Sequence, residues 1–248
     1  MPQKLIMAGT LTGPKVPAGW DFFDRVYCIS LEHRLDRRER VREEFVRVGL
    51  ADRVEFVIAH PHAQDRERGI FESHQRCLRR GIRDGAQRIL VFEDDVFFGR
   101  QGCGRIPDAC AHLAQCPGWE AFFLGCLTRS IRPTSSPALR RITYRSLAHA
   151  YGLNRPFAEQ VVRRTWQGIP YDALLQQMQN EFYALSPMCA FQDRSASDNQ
   201  TVALDRLRRL CGGLAVIQRG SELYRKHRTL VIAAHLAVLL LLLLVLPW

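Results

Sequence analysis

The stretch that decides the reading is Arg88-Ile89-Leu90-Val91-Phe92-Glu93-Asp94-Asp95-Val96-Phe97-Phe98. Arg88 to Phe92 is a nearly unbroken apolar run, the kind of strand that a sheet buries on both faces. Three acids follow directly. Acids are poor strand formers and costly to bury without partners. At the carboxyl end of a central strand they point into the crevice where α/β sheets take ligands. If the extended geometry continues, Glu93 and Asp95 share one side and Asp94 faces the other. Two carboxylates on one side make a hard-oxygen site for Mg²⁺ or Mn²⁺. Such an ion would bridge the two phosphates of a nucleoside diphosphate and stabilise it as it leaves. The plain alternative, a solvated acidic turn, is weakened by the strand that precedes it.

Working outward, Arg25 to Leu31 reads as a first strand. Asp36 reads as an N-cap, with Glu39 completing a capping box. Val41, Phe45 and Val48 share one helical face, and Gly49 stops the helix. Val54 to Ile58 is a second strand, and His60 to Arg68, with Pro61, a loop. Ser73 caps the next helix, whose inner face holds Cys77, Leu78 and Ile82. Downstream, Ala121 to Leu124 and Ala148 to Leu153 are strands. Arg129 to Arg141, with Pro133 and Pro137, reads as a loop. Pro156 sits in the first turn of a helix reaching about Trp166. Asp172 caps a helix from Ala173 to about Asn180. This alternation predicts an α/β domain.

The formal charge is +10, and the only lysines are Lys4, Lys15 and Lys226. Such an excess implies anionic company. The basic residues are spread along the chain with few aromatics between them, so no nucleic-acid partner is expected. None of the eight cysteines forms a C-x-x-C pair. They read as reduced and mostly buried. Cys103, Cys110, His112 and Cys116 are possible ligand types whose spacing fits no standard zinc finger.

Leu230 to Leu246 is apolar except for His235. Seventeen helical residues rise about 25 Å, enough for a thin bilayer core. Arg225, Lys226 and Arg228 precede it, which favours a single-pass anchor with the rest of the chain on the cytoplasmic side. The expected organisation is an irregular lead over 1–24, one domain over 25–200, a basic juxtamembrane segment over 201–228 and a transmembrane anchor over 229–248.

Three further constellations are candidates. Asp36-Arg37-Arg38 opens a helix just after the first strand, where a helix N-terminus and arginines suit phosphate oxygens. A solvated first turn accounts for them equally. Ser73-His74 opens the helix before the acidic strand, as a cap and a core histidine or as donor contacts. Asp172 is a capping acid or a general base for an acceptor hydroxyl.

In their order and spacing these segments resemble the family 25 glycosyltransferases, the lipopolysaccharide and lipooligosaccharide biosynthesis proteins. Val26 to Leu31 followed by Asp36-Arg37-Arg38 is similar to that family's opening strand and DRR helix start. Gly69 with Ser73-His74, Ile89 to Val96, Trp119 to Gly125, His149 to Leu153 and Ile169 to Asp172 match its later motifs, with Pro187, Gln192 and Ser197-Asp198 after them. Ser30 stands where the family has Asn, and Ile70 where it has Cys. The resemblance covers about Arg25 to Asn199. It implies a GT-A-like nucleotide-sugar-binding domain with a mixed central sheet. It also implies a UDP-hexose donor, a divalent cation, a glycan or lipid-linked acceptor and inversion at the anomeric carbon. The resemblance implies Mn²⁺ or Mg²⁺; alternation favours Glu93 and Asp95 as its ligands, with the choice of two among the three acids open, and Asp94, which could instead touch the ribose or the ion, and Asp172 are the catalytic candidates. Ser30, Asp36, Arg37, Arg38, Ser73 and His74 contact the donor. The expected place is a bacterial inner membrane. A silent sugar-nucleotide-binding homologue and a metal-dependent phosphohydrolase are the competing expectations.

Overall fold

The computed structural model describes residues 19–193 and 213–245. Three strands open the domain: β1 (Arg25–Leu31), β2 (Val54–Ala59) and β3 (Arg88–Glu93). They run parallel, with β1 between the other two. Helices α1 (Leu35–Arg47) and α2 (Arg66–Arg83) make the crossovers. Beyond β3 the sheet changes sense. Strand β8 (Ala150–Asn154) pairs antiparallel with β3 and with β5 (Ala121–Phe123). Strand β9 (Phe182–Leu185) then runs parallel to β5, and β7 (Leu139–Ser146) and β6 (Leu127–Pro133) close the edge. The order is β2-β1-β3-β8-β5-β9-β7-β6, a mixed sheet as expected. A second small sheet pairs β4 (Val96–Phe98) with β10 (Ala190–Gln192).

Strand β3 shows why the sheet must be covered twice. Ile89, Leu90, Val91 and Phe92 are each fully buried. Leu90 and Phe92 pack with Val41 and Phe45 of α1 and with α3 (Ile106–Ala114). Ile89 and Val91 pack against Phe71 and Leu78 of α2, and against α4 (Arg155–Val162) and α5 (Tyr171–Met178). Truncating one such side chain costs about 2–5 kcal/mol.

Several expected boundaries move, each for a local reason. Helix α2 starts at Arg66, because the Asp65 carboxylate accepts the Arg68 N–H at 3.1 Å and caps it. Ser73 therefore lies inside the helix, and its hydroxyl donates to the Gly69 carbonyl at 2.7 Å. Asp36 caps nothing, since α1 begins at Leu35 and no side-chain cap forms. Helix α5 begins at Tyr171 after Pro170, so Asp172 lies within its first turn. Asn154 caps α4 through the Phe157 N–H, and the helix ends at Val162. The expected loop over Arg129 to Arg141 is the β6–β7 hairpin. Pro133 sits at its strand end, Pro137 lies in the connection, and the Ser130 and Thr143 hydroxyls meet across the ladder at 2.7 Å.

The ends of the chain also differ from expectation. Trp20 is buried and its indole donates to the Val48 carbonyl at 2.9 Å, so the described end of the lead, from residue 19, joins the core. Helix α6 (Leu214–Lys226) docks on the domain. Gln218 donates to the Ala190 carbonyl at 2.9 Å, and Glu222 accepts the Met188 N–H at 3.0 Å. The apolar tail forms α7 (Arg228–Val245). Among the described residues no helix is long and apolar enough to cross a membrane. The expected spanning anchor is thus not shown. Residues 246–248, like Ser197 and Asp198, lie outside the described ones.

Gly125 ends the motif that opens at Trp119. A Cβ there would stand 1.8 Å from the Ala190 carbonyl oxygen and 2.7 Å from Gln218 Nε2. Gly125→Ala is expected to lose at least about 1–3 kcal/mol in urea unfolding, as overpacking against backbone does.

Candidate functional site: a carboxylate turn at the end of β3

Alternation along β3 puts Glu93 on the same face as Ile89 and Val91, under α2. His74 of α2 meets it there, with Nε2 at 3.3 Å from Glu93 Oε1. Gln192 of β10 approaches the other oxygen at 3.4 Å. His74 is buried and stacks on the Tyr171 ring, with centroids 4.1 Å apart and planes 3° from parallel. Its Nδ1 lies 2.9 Å from Tyr151 Oη, which itself donates to Tyr171 Oη at 2.8 Å. Because the Tyr151 hydrogen is spent on Tyr171, Nδ1–H is the donor to Tyr151. Nε2 is then the acceptor that faces Glu93.

The electrostatics agree with that assignment. Burial pushes His74 down to about 4, so it is neutral near pH 7. Burial first, and then the charges of Asp172 and Asp94, push Glu93 up to about 8. One proton on Glu93, donated to Nε2, satisfies both groups.

The extended geometry stops at Glu93, and Asp94 and Asp95 form a turn. The two aspartates therefore do not alternate sides. Both face the buried Arg37 of α1, whose Nη1 lies 3.4 Å from Asp94 Oδ1 and 3.8 Å from Asp95 Oδ2. Asp94 Oδ2 and Asp95 Oδ1 are buried and meet no hydrogen-bond donor among the described residues. Burial and the nearby Glu93 push Asp95 up to about 7, against the pull of Arg37. The expected pairing of Glu93 with Asp95 is thus loosened: Glu93 meets His74 and Gln192, while Asp95 lies near Glu93 and Gln192 and also shares Arg37 with Asp94.

The other candidates serve as supports. Arg38 donates to Ser30 Oγ at 3.2 Å and to the Leu31 and Glu32 carbonyls, bracing the end of β1. Asp36 is exposed and pairs with Arg34 and Arg40. Asp172 accepts from Tyr144 Oη at 2.5 Å and from the Leu147 and Ala148 N–H groups at 2.9 Å each. Leu147 holds a φ of 76°, a left-handed conformation that costs a branched residue about 1 kcal/mol or more. The clamp from Asp172 holds that turn in place. Just beyond it the His149 carbonyl accepts the Glu93 N–H at 2.9 Å. Tyr151, Tyr171 and Gln192 are site residues that their own sequence context does not reveal. The aromatic on β8 opposite Val91 was the available signal, since that register shares a face with Glu93.

Among the described residues, no group of three His, Cys, Asp or Glu side chains is placed to hold a metal ion. The two orphaned oxygens of Asp94 and Asp95 nevertheless fit a weaker demand. Mg²⁺ and ions like it take one or two carboxylates and fill the remaining positions with water and substrate phosphates.

No family model matches the chain. It is 28% identical over 190 residues to the human protein named inactive glycosyltransferase 25 family member 3, matching over 62% of its own length. The chain spans about a third of that relative, 31%. The likeness supports a glycosyltransferase-like family. A crystal structure of a glycosyltransferase involved in glycosylation of the major capsid of PBCV-1 is 9% identical, with a TM-score of 0.41 over 64% of this chain and 81% of that one. A UDP-glucose pyrophosphorylase complexed with UDP-glucose is 10% identical, with a TM-score of 0.38 over 65% and 72%. Both are loose likenesses of architecture.

A carboxyl group raised on folding binds more protons in the native state. Its stabilising effect is therefore complete below the ordinary pKa and is lost as pH rises through the folded one. For Glu93 that window runs from 4.5 to about 8, and for Asp95 from 3.8 to about 7. His74, lowered from 6.5 to about 4, acts in the opposite sense only below 6.5. Stability measured by urea unfolding is therefore expected to fall between pH 6.5 and 8, and Glu93→Gln to flatten that fall. An unchanged slope in the variant would remove Glu93 as its source. Asp172→Ala frees three donors, and a loss of at least about 2 kcal/mol is expected in the same assay.

Proposed function

We propose that the chain is a glycosyltransferase that moves a hexose from a UDP-sugar to a glycan or lipid-linked acceptor. The carrying observation is the Asp94–Asp95 turn at the carboxyl end of β3, with two buried, unpartnered carboxylate oxygens beside the buried Arg37. That arrangement suits a divalent cation and a diphosphate together. The ordered motifs and the relative of the family 25 kind support the sugar-nucleotide reading.

In this reading Asp94 and Asp95 hold Mg²⁺ or Mn²⁺, which supplies positive charge against the diphosphate of the departing UDP. Arg37 balances the aspartates before the donor arrives and offers its guanidinium to phosphate oxygen once they are otherwise engaged. The Glu93–His74–Tyr151–Tyr171 chain fixes the wall beside the two aspartates. Asp172 acts as a positioning residue, because its oxygens hold the turn before β8. We further place the protein at the cytoplasmic face of a membrane. The support is α7, whose Leu230, Leu236, Val238 and Leu242 are exposed, preceded by Arg225, Lys226 and Arg228.

A catalytically silent, sugar-nucleotide-binding homologue is the second reading. It is favoured by Arg37, which lies within ion-pair distance of both aspartates and can stand in for a cation.

The two separate in one assay. With Mn²⁺ and UDP-glucose or UDP-galactose, the purified chain is expected to release UDP. Asp94→Asn and Asp95→Asn are each expected to cut that rate by about 100-fold, the scale of losing one preorganised electrostatic contact. A Mn²⁺-dependent thermal shift with UDP and no turnover would select the silent homologue. Full activity in Asp95→Asn would end the metal assignment.

A further inference from the structure

A trough of about 600 Å³ runs along α2. Arg68, Arg76, Arg79, Arg80 and Arg83 enter it from the helix, and Arg164 from the segment after α4. Glu72 is the only acid among its lining residues. Like charges three and four positions apart repel along a helix, so such a stripe persists against its own cost unless something offsets it. Part of the charge is offset: Arg68 pairs with Glu72, Arg80 with Glu55 and Arg83 with Asp84. Among the described residues Arg76, Arg79 and Arg164 meet no carboxylate. Arg76 donates to the Ile58 carbonyl, and Arg79 to Gln75 and the Val162 carbonyl.

The two walls are tied by a buried polar side chain. Gln75 is 1% exposed, and its Nε2 donates to the Val161 and Arg164 carbonyls at 3.1 and 2.6 Å. Its Oε1 accepts from Arg79. One amide thus fixes both an arginine of α2 and the backbone that carries Arg164. Above it lies the half-buried Trp166, its ring 5.4 Å from that of Phe71. Past Phe71, Arg164 and Thr165 the trough continues into a chamber of about 300 Å³. Its further lining is uncharged and includes Gln167, Ile169, Gln177 and Met178.

We propose that this trough is a binding site, separate from the carboxylate turn, for a phosphorylated sugar. Phosphate oxygens meet Arg76, Arg79 and Arg164, whose planar forks match them. The sugar ring lies on Trp166 and enters the chamber, where the Gln167 and Gln177 amides meet hydroxyls. A nucleic-acid strand fits less well, because it needs successive stacking platforms and the trough offers one half-buried indole. The site does not require the carboxylate turn to be catalytic, so its test uses neither metal nor UDP-sugar.

Fructose 1,6-bisphosphate titrated into the full chain is expected to change tryptophan emission saturably, since of the described tryptophans Trp20 and Trp119 are buried and Trp166 lines the trough. Trp166→Phe is expected to abolish the signal, and calorimetry to show weakened binding in that variant. Arg164→Gln, whose guanidinium bonds no other described residue, is expected to raise Kd at least tenfold with an unchanged melting temperature. Three outcomes each overturn the proposal. The first is no saturable binding up to ~10 mM, beyond the weak end of specific affinity. The second is wild-type affinity in Arg164→Gln. The third is inorganic pyrophosphate or oligo-dT binding as tightly as the sugar bisphosphate.

Discussion

The burial of β3 on both faces is the constraint on which the rest depends. An apolar strand with no solvent side forces a helical layer above and below it. The acids at its end are then delivered to two layers at once. Glu93 goes to the α2 layer and meets His74. Asp94 and Asp95 turn toward α1 and meet Arg37. A single run of three acids thus becomes two environments. One holds a carboxyl whose proton affinity is raised beside a buried histidine, and the other two aspartates within ion-pair distance of a guanidinium.

The change of sense beside β3 matters as much. Parallel pairing to β1 and antiparallel pairing to β8 bring the carboxyl end of β3 next to the amino end of β8. The turn that feeds β8 is therefore part of the site. Leu147 must take a left-handed conformation there, and Asp172 reaches from α5 to hold it. The role that sequence suggests for Asp172, an acid free to take a proton, gives way to one in which both oxygens are already engaged.

Much of this frame was legible in the chain. Strands β1, β2 and β3 and helix α1 follow from apolar runs and one helical stripe, and fall within a residue or two of their expected ends. What failed had local causes. The start of α2 was hidden because its first residues are polar and its cap is Asp65, ahead of any apolar periodicity. The β6–β7 hairpin was hidden by prolines at positions that need no ladder donor. The sides of the three acids were misjudged because alternation holds only while the strand continues. Long-range partners such as Tyr144 for Asp172, or Arg164 for the stripe on α2, leave no periodic trace. The even spread of arginine along the chain conceals how the fold gathers several of them into one trough.

The Glu93 N–H bond to the His149 carbonyl has a consequence for how the molecule comes together. The partners of the three acids lie before them at Arg37 and His74 and well after them at His149 and Gln192. Contacts of such sequence separation form late, because loop closure precedes any gain from them. While the chain is being made, the first parallel strands exist before the β8 register and the small β4–β10 sheet can close. Until then Glu93 and Asp95 are hydrated, without the burial that raises them in the folded chain. Their unusual proton affinities are acquired only in the last steps of folding.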